Sequence, residues 1–232
     1  MEEGLDFYDM TEAQLRQWVE ANPGQVNGRN NIYFGLTPLS ATASRREGLS
    51  LVVWLLDEKG ADVNASMALG RSALHYAETL DILNALLDRG GDPTRIDFLG
   101  RSALKHQVRN DTANQVARLL QDPRVRATID MQDKYGNTAL HHACCKYGET
   151  DAKAALNVHL LLQAGANRTI ANKHGQTALA YLRQRRPNLH VTIVLLEQAL
   201  TEAEKASLLV KARCLAVAAT SKAVAPSCLK HG

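Results

Sequence analysis

The feature that most constrains this chain is a short run that keeps returning. Asp133-Lys134-Tyr135-Gly136-Asn137-Thr138-Ala139-Leu140-His141-His142-Ala143 reads as D-x-x-G-x-T-x-L-H-x-A. Glycine and polar residues make a tight turn, and a Thr then opens a short helix whose Leu and Ala face inward. The same grammar recurs as Gly35-Leu36-Thr37-Pro38-Leu39, Gly70-Arg71-Ser72-Ala73-Leu74-His75-Tyr76-Ala77, Gly100-Arg101-Ser102-Ala103-Leu104 and Gly175-Gln176-Thr177-Ala178-Leu179. Self-similarity at roughly 30–40 residues marks a repeat array, in which each unit contacts its neighbours and stacking builds a continuous core.

Between these turns lie apolar stripes at helical spacing. Thr11-Glu12-Ala13-Gln14 forms a capping box, and Leu15, Trp18 and Val19 share the face of the helix it opens. Trp18 on that face is expected in the core. Leu51, Val52, Leu55 and Leu56 form the stripe of the next outer helix, which Gly60 ends. Ile82, Leu83, Leu86 and Leu87 follow, then Val116, Leu119 and Leu120, then Leu156, Val158, Leu160 and Leu161, then Val191, Val194, Leu195 and Leu196. A final Ala-rich helix over 201–222 is expected to cap the last apolar face, with 1–10 a flexible lead-in and 223–232 a flexible tail. Only Glu78, Thr79 and Leu80 separate Ala77 from Asp81, which predicts a shortened inner helix or a tighter loop. Val125 to Met131 reads as a connector.

The Thr-x-Leu-His-x-Ala runs, with Gly60-Ala61-Asp62-Val63-Asn64 after an outer helix, resemble the signature of the ankyrin-repeat family. The resemblance covers about residues 11–200. It implies an all-α fold, an ankyrin-repeat solenoid of stacked helix-turn-helix units with short β-hairpin turns. An N-terminal half-repeat is followed by five units starting near residues 32, 67, 97, 133 and 172. The third unit departs most, with Lys105 at the family's His and Gln107 at its Ala.

Chemistry is weighed against that frame. His141 and Cys145 stand at i, i+4 and are residue types that zinc uses, but no second pair stands at ligand spacing. By the resemblance, His141 serves hydrogen bonding between hairpin and helix. No nucleophile elbow or phosphate loop is present, and the carboxylates Asp57-Glu58 and Glu202/Glu204 read as solvated helix ends. The expectation is no enzyme, no metal and no cofactor. The four cysteines show no disulfide framework, no secretory leader opens the chain, and no stretch is apolar for 18 residues. A reducing cytoplasmic or nuclear setting, no membrane, and a monomer are expected.

The family's work is binding proteins, through hairpin tips and the concave face of the inner helices. In this chain the corresponding positions include Tyr33, Phe34, Arg71, Phe98, Leu99 and Arg101. Further along they include Arg109, Lys134, Tyr135, Asn137, Lys146, Lys173, His174, Gln176 and Arg185. Many are basic although the net charge is only +3, so the charge is polarised rather than large. The reading that follows is a scaffold or adaptor binding an acidic or phosphorylated protein segment. The alternatives are a nucleic-acid-associated regulator using the same basic face, or the targeting module of a larger signalling protein.

Overall fold

Each recurrence of the turn grammar opens a pair of short helices, and the pairs stack into two layers. The computed structural model describes residues 6–30, 35–110, 112–145 and 151–197. Helix α1 (Glu12–Ala21) begins at Thr11, whose side chain accepts from Gln14 N while Gln14 returns a bond to Thr11 N at 2.8 Å. The inner layer runs α2 (Pro38–Ala43), a 3₁₀ turn (Ala73–Tyr76), α5 (Ala103–Arg109), α8 (Ala139–Ala143) and α10 (Ala178–Arg185). The outer layer runs α3 (Leu49–Asp57), α4 (Leu80–Asp88), α6 (Ala113–Leu119), α9 (Asp151–Gln163) and α11 (His190–Glu197). The apolar stripes meet between the layers, where Leu39, Leu55, Leu74, Leu86, Leu119 and Leu140 are all buried in one continuous core.

Turn chemistry sets the pitch of the stack. Gly35, Gly70, Gly100, Gly136 and Gly175 have φ between +60° and +79°, a region closed to most L side chains. Around each of the last four, the head residue of the turn donates to the carbonyl of the residue after the glycine. Asp97 N–H to Arg101 O is 2.9 Å, Asp133 N–H to Asn137 O is 2.9 Å and Asn172 N–H to Gln176 O is 2.8 Å. Adjacent turns are stitched by single backbone bonds: Phe98 N–H to Leu69 O, Lys134 N–H to Leu99 O and Lys173 N–H to Tyr135 O, at 2.9, 2.8 and 3.1 Å. The hairpins reach only isolated bridges, Ile96 with Ser102 and Ala171 with Thr177, and no named strand occurs among the described residues.

Two local expectations change and a third holds. Residues 6–10 are not a loose lead-in. Phe7 is buried and packs edge-on against Trp18 at 4.7 Å, and Arg45 donates to Phe7 O at 2.5 Å. The connector after α6 contains helix α7 (Pro123–Ala127), capped by Asp122, which accepts from Arg124 N at 2.8 Å. An Asp-Pro pair is itself a helix start, with proline at the first helical position. The second unit's inner helix is a single 3₁₀ turn, as the short spacing between Ala77 and Asp81 predicts. The expected capping helix over 201–222 and the tail lie outside the described residues.

Candidate interaction face

Three positions that recur from unit to unit supply part of the concave side: the one after the turn glycine, and those four and seven places after the capping Ser or Thr. The arrangement begins with histidines that fix the turns. His75 Nδ1 accepts from Ser72 N at 3.1 Å, and its Nε2 donates to Arg101 O of the next turn at 3.1 Å. His141 repeats this with Thr138 N at 3.2 Å and Gln176 O at 2.9 Å. Both ring nitrogens are engaged within the array, so the structure gives His141 the hairpin-bonding role that its motif implies. Burial lowers the His141 pKa and pushes that of His75 down to about 4, with repulsion from His106 adding to the latter. Both rings serve as neutral imidazoles.

Lys105 occupies the same position in the third unit and behaves differently. It is buried, and its Nζ donates to Gly100 O of its own turn at 3.1 Å. Burial pulls its pKa from 10.5 to about 8 against the attraction of Asp133 and Asp97.

The turn-head carboxylates gather much of the expected basic face. Asp97 Oδ2 accepts from Arg101 Nη2 at 2.8 Å, Arg101 Nε at 3.0 Å, Arg71 Nε at 3.3 Å and His106 Nε2 at 3.3 Å. Its Oδ1 accepts from Leu99 N and Arg101 N, both at 2.9 Å. Burial opposes the charge, yet the His106 and Arg101 bonds hold this carboxyl well below the usual range. Arg71 also bonds the Tyr76 hydroxyl and lies over its ring. Arg101 is 9% exposed, so it is a structural clamp and not the solvent-facing cation that the sequence suggests. The pairing repeats in the fourth unit, where His142 Nε2 bonds Asp133 Oδ2 at 2.8 Å. Sequence reasoning missed this pair. Its signal is the nine-residue spacing shared by Asp97 with His106 and Asp133 with His142.

The remaining candidate residues separate by exposure. Phe98, Arg109, Lys134, Tyr135, Lys173, His174 and Arg185 are exposed, while Leu99, Asn137 and Gln176 are half-buried. Arg109, Lys134 and Lys173 form no ion pair among the described residues. Arg185 lies over the Tyr181 ring at 5.2 Å. Tyr33, Phe34 and Lys146 lie outside the described residues.

Two hollows open on this face. One, of about 540 Å³, is lined by Arg101, Arg109, Asn110, Asp133, Tyr135, Asn137, His142, Cys145 and Tyr181. The other, of about 570 Å³, is lined by Asp6, Tyr8, Asp9, Leu36, Ser44, Arg71 and Tyr76. Equivalent repeat positions supply both: Leu36 and Arg71 match Arg101 and Asn137, and Tyr76 matches His142 and Tyr181. The Asp97 cluster fills the ground between them. Burial raises the Cys145 thiol pKa, against a hydrogen bond with Tyr181, so it is a poor nucleophile at neutral pH.

Stacked helix pairs with projecting turns define a repeat solenoid. A family model for the ankyrin repeat matches residues 34–67 and 135–173. The chain superposes on the ankyrin repeat protein EF0377 with a TM-score of 0.64 at 26% identity, covering 82% of this chain and 92% of that one. An ankyrin repeat domain from Acinetobacter baumannii AYE superposes at 0.63 and 27% identity, covering 82% and 95%. Over 122 residues the sequence is 34% identical to the B-cell lymphoma 3 protein homolog of Mus musculus, covering 50% of this chain and 25% of that protein. The chain spans a quarter or less of the length of the curated relatives it matches. The chain thus carries two stretches that match the ankyrin repeat and folds as an ankyrin-repeat solenoid. Ankyrin repeats generally mediate protein–protein interaction, and the fold is typically a non-enzymatic binding module. No described helix is long and apolar enough to cross a membrane.

Proposed function

We propose that this chain is a non-catalytic adaptor that binds an acidic or phosphorylated protein segment along its concave face, working as a monomer in the cytoplasm or nucleus. One observation carries the reading. After Asp97 has taken Arg71 and Arg101, the exposed cations Arg109, Lys134 and Lys173 remain on the turns and inner-helix ends of the third to fifth units. Beside them stand the exposed aromatics Phe98 and Tyr135. Exposed cations with aromatics suit recognition of acidic chains, where charge steers encounter and aromatic contact supplies area. A surface held by inter-turn hydrogen bonds needs little reordering on binding.

The test is binding of fluorescent, degenerate acidic peptide pools to the wild-type chain and to an Arg109→Glu, Lys134→Glu, Lys173→Glu triple variant. All three positions are exposed, so the variant should keep its fold. Binding that the variant loses supports the adaptor reading, and equal binding by both chains overturns it. A single-stranded oligonucleotide run in parallel covers the alternative use of the same cations. Tighter binding of the oligonucleotide, falling steeply with salt, would replace the adaptor reading with nucleic-acid association.

A further inference from the structure

The hollow between the third, fourth and fifth units is built for an acceptor rather than a donor. Among the described residues its lining contains one carboxylate, Asp133, and both oxygens of that carboxylate are engaged. Oδ2 takes His142 Nε2 at 2.8 Å, while Oδ1 takes Tyr135 N at 2.8 Å and Asn137 N at 2.9 Å. Burial works against the charge, but the His142 bond and these backbone bonds keep the Asp133 pKa lowered. Asp133 is therefore a fixed anion whose two oxygens are tied to His142 and to its own turn.

The amide of Asn137 is oriented by its neighbour. Asn172 Oδ1 accepts from His174 N at 3.0 Å and Gln176 N at 3.1 Å, which forces the Asn172 Nδ2 outward. That nitrogen donates to Asn137 Oδ1 at 3.1 Å. The Asn137 Nδ2 donors are left without a partner among the described residues, on a side chain that lines the hollow. Arg109 and Asn110 also line the hollow, exposed at the C-terminal end of α5. Tyr135 and Tyr181 provide aromatic sides, and the Arg185 guanidinium lies over Tyr181.

We propose that this hollow seats a phosphorylated side chain of the bound segment, with Arg109, Asn110 and Asn137 Nδ2 as donors to the phosphoryl oxygens. The inference rests on the adaptor reading and deepens it. A phosphoryl group offers three strong acceptor oxygens and up to two charges, which suits a guanidinium and two amides lining one hollow better than a planar carboxylate does. A hollow of about 540 Å³ also has room for the group's carrier side chain between the two tyrosines.

The experiment uses the full chain and four fluorescent pools of degenerate heptapeptides, fixed at the central position as phosphoserine, phosphotyrosine, glutamate or serine. Two point variants probe the site. Arg109→Glu reverses the exposed charge. Asn137→Asp keeps the oxygen that accepts from Asn172 and replaces the donor amide with an acceptor. Thermal melts of both variants report whether the fold is kept. Lys134→Glu, Lys173→Glu is the control pair, since neither lysine lines the hollow.

The expected result is that at least one phosphopeptide pool binds about tenfold or more tightly than the glutamate pool. Each point variant should lose about tenfold or more of that binding, with the control pair losing less. The phosphoserine and phosphotyrosine arms then say which carrier the tyrosine walls accept. If phosphate and glutamate pools bind alike and depend on Lys134 and Lys173, the hollow is not the seat while the adaptor reading stands. If no pool binds, both fall.

Discussion

Lys105 turns back on its own hairpin, donating from Nζ to Gly100 O at 3.1 Å. The histidines at the equivalent positions of the second and fourth units reach forward instead, to Arg101 O and Gln176 O. Those two carbonyls each take a turn bond and a histidine bond, whereas Asn137 O takes the turn bond from Asp133 N. The third-to-fourth unit step thus lacks one cross-link and buries an ammonium.

Lys105→His should repair both defects. Its Nδ1 would take Ser102 N and its Nε2 would reach Asn137 O, as His75 and His141 do in their units. The gain expected at pH 7 is about 1–3 kcal/mol, the scale of one buried hydrogen bond plus relief of a buried charge. The variant should also change the alkaline profile. In the wild type the unfolded chain protonates Lys105 at its ordinary 10.5 and the folded chain only at about 8. Between those values the unfolded state holds more protons, so this group's contribution to stability rises with pH. Urea melts from pH 7 to 10.5 should show that rise in the wild type and its loss in Lys105→His. Parallel profiles would refute it.

His75 predicts the acid side. Its folded pKa of about 4 lies below the ordinary 6.5, so its contribution is fully present above 6.5 and is lost as pH falls towards 4. Protonation would put a proton on Nδ1, the atom that accepts from Ser72 N, and a charge near the His106 ring at 5.1 Å. His75→Gln removes the titration, so it should flatten the part of the stability curve between pH 4 and 6.5. The check is the wild-type-minus-variant difference in denaturant midpoint across that window. A difference constant with pH would rule out the His75 account.

Much of the architecture is legible in sequence because its causes are local. Gly136 declares a positive-φ turn, Thr11 with Gln14 declares a helix start, and the Leu51–Leu56 stripe declares a buried outer face, each within a few residues. The face is less legible because charge pairing depends on neighbours brought together by stacking. Arg101 looks like an exposed cation until the turn folds Asp97 beneath it, and Arg71 meets the same carboxylate only across a unit boundary. The Asn137 amide is set by Asn172 in the next unit, a contact that no reading of one repeat contains.

The glycines give a graded test of that stacking. A Cβ at Gly136 would lie 2.6 Å from Lys173 N and 3.0 Å from the Asn172 carbonyl carbon, both backbone atoms of the next turn. A Cβ at Gly175 would meet nothing within 4 Å, although its φ of +72° is equally left-handed. Gly175→Ala should cost only the conformational strain, about 1–2 kcal/mol. Gly136→Ala adds a backbone clash and should cost about 3 kcal/mol or more. Chemical denaturation of the two variants, read at matched conditions, should separate them clearly. Equal losses would mean that the turns can part without consequence.

Asp97 offers the sharpest contrast within the face. Its Oδ2 gathers three positively charged or chargeable partners, Arg71, Arg101 and His106, whereas the Asp133 Oδ2 holds only His142. Asp97→Asn keeps the Oδ1 acceptor for Leu99 N and Arg101 N but puts an amide against two guanidinium groups. Leaving buried Arg101 and half-buried Arg71 without their counter-charge should cost about 3–5 kcal/mol. Asp133→Asn keeps a neutral partner for His142 and should cost about 1–3 kcal/mol. The acid profile gives a second readout. Because the Asp97 carboxyl is held below its ordinary range, its contribution persists above that range and disappears as the folded carboxylate protonates. Asp97→Asn should therefore be most destabilising at neutral pH and converge on the wild type in acid. A variant as stable as the wild type at pH 7 would show that Arg71 and Arg101 have no need of Asp97 and stand as independent surface cations.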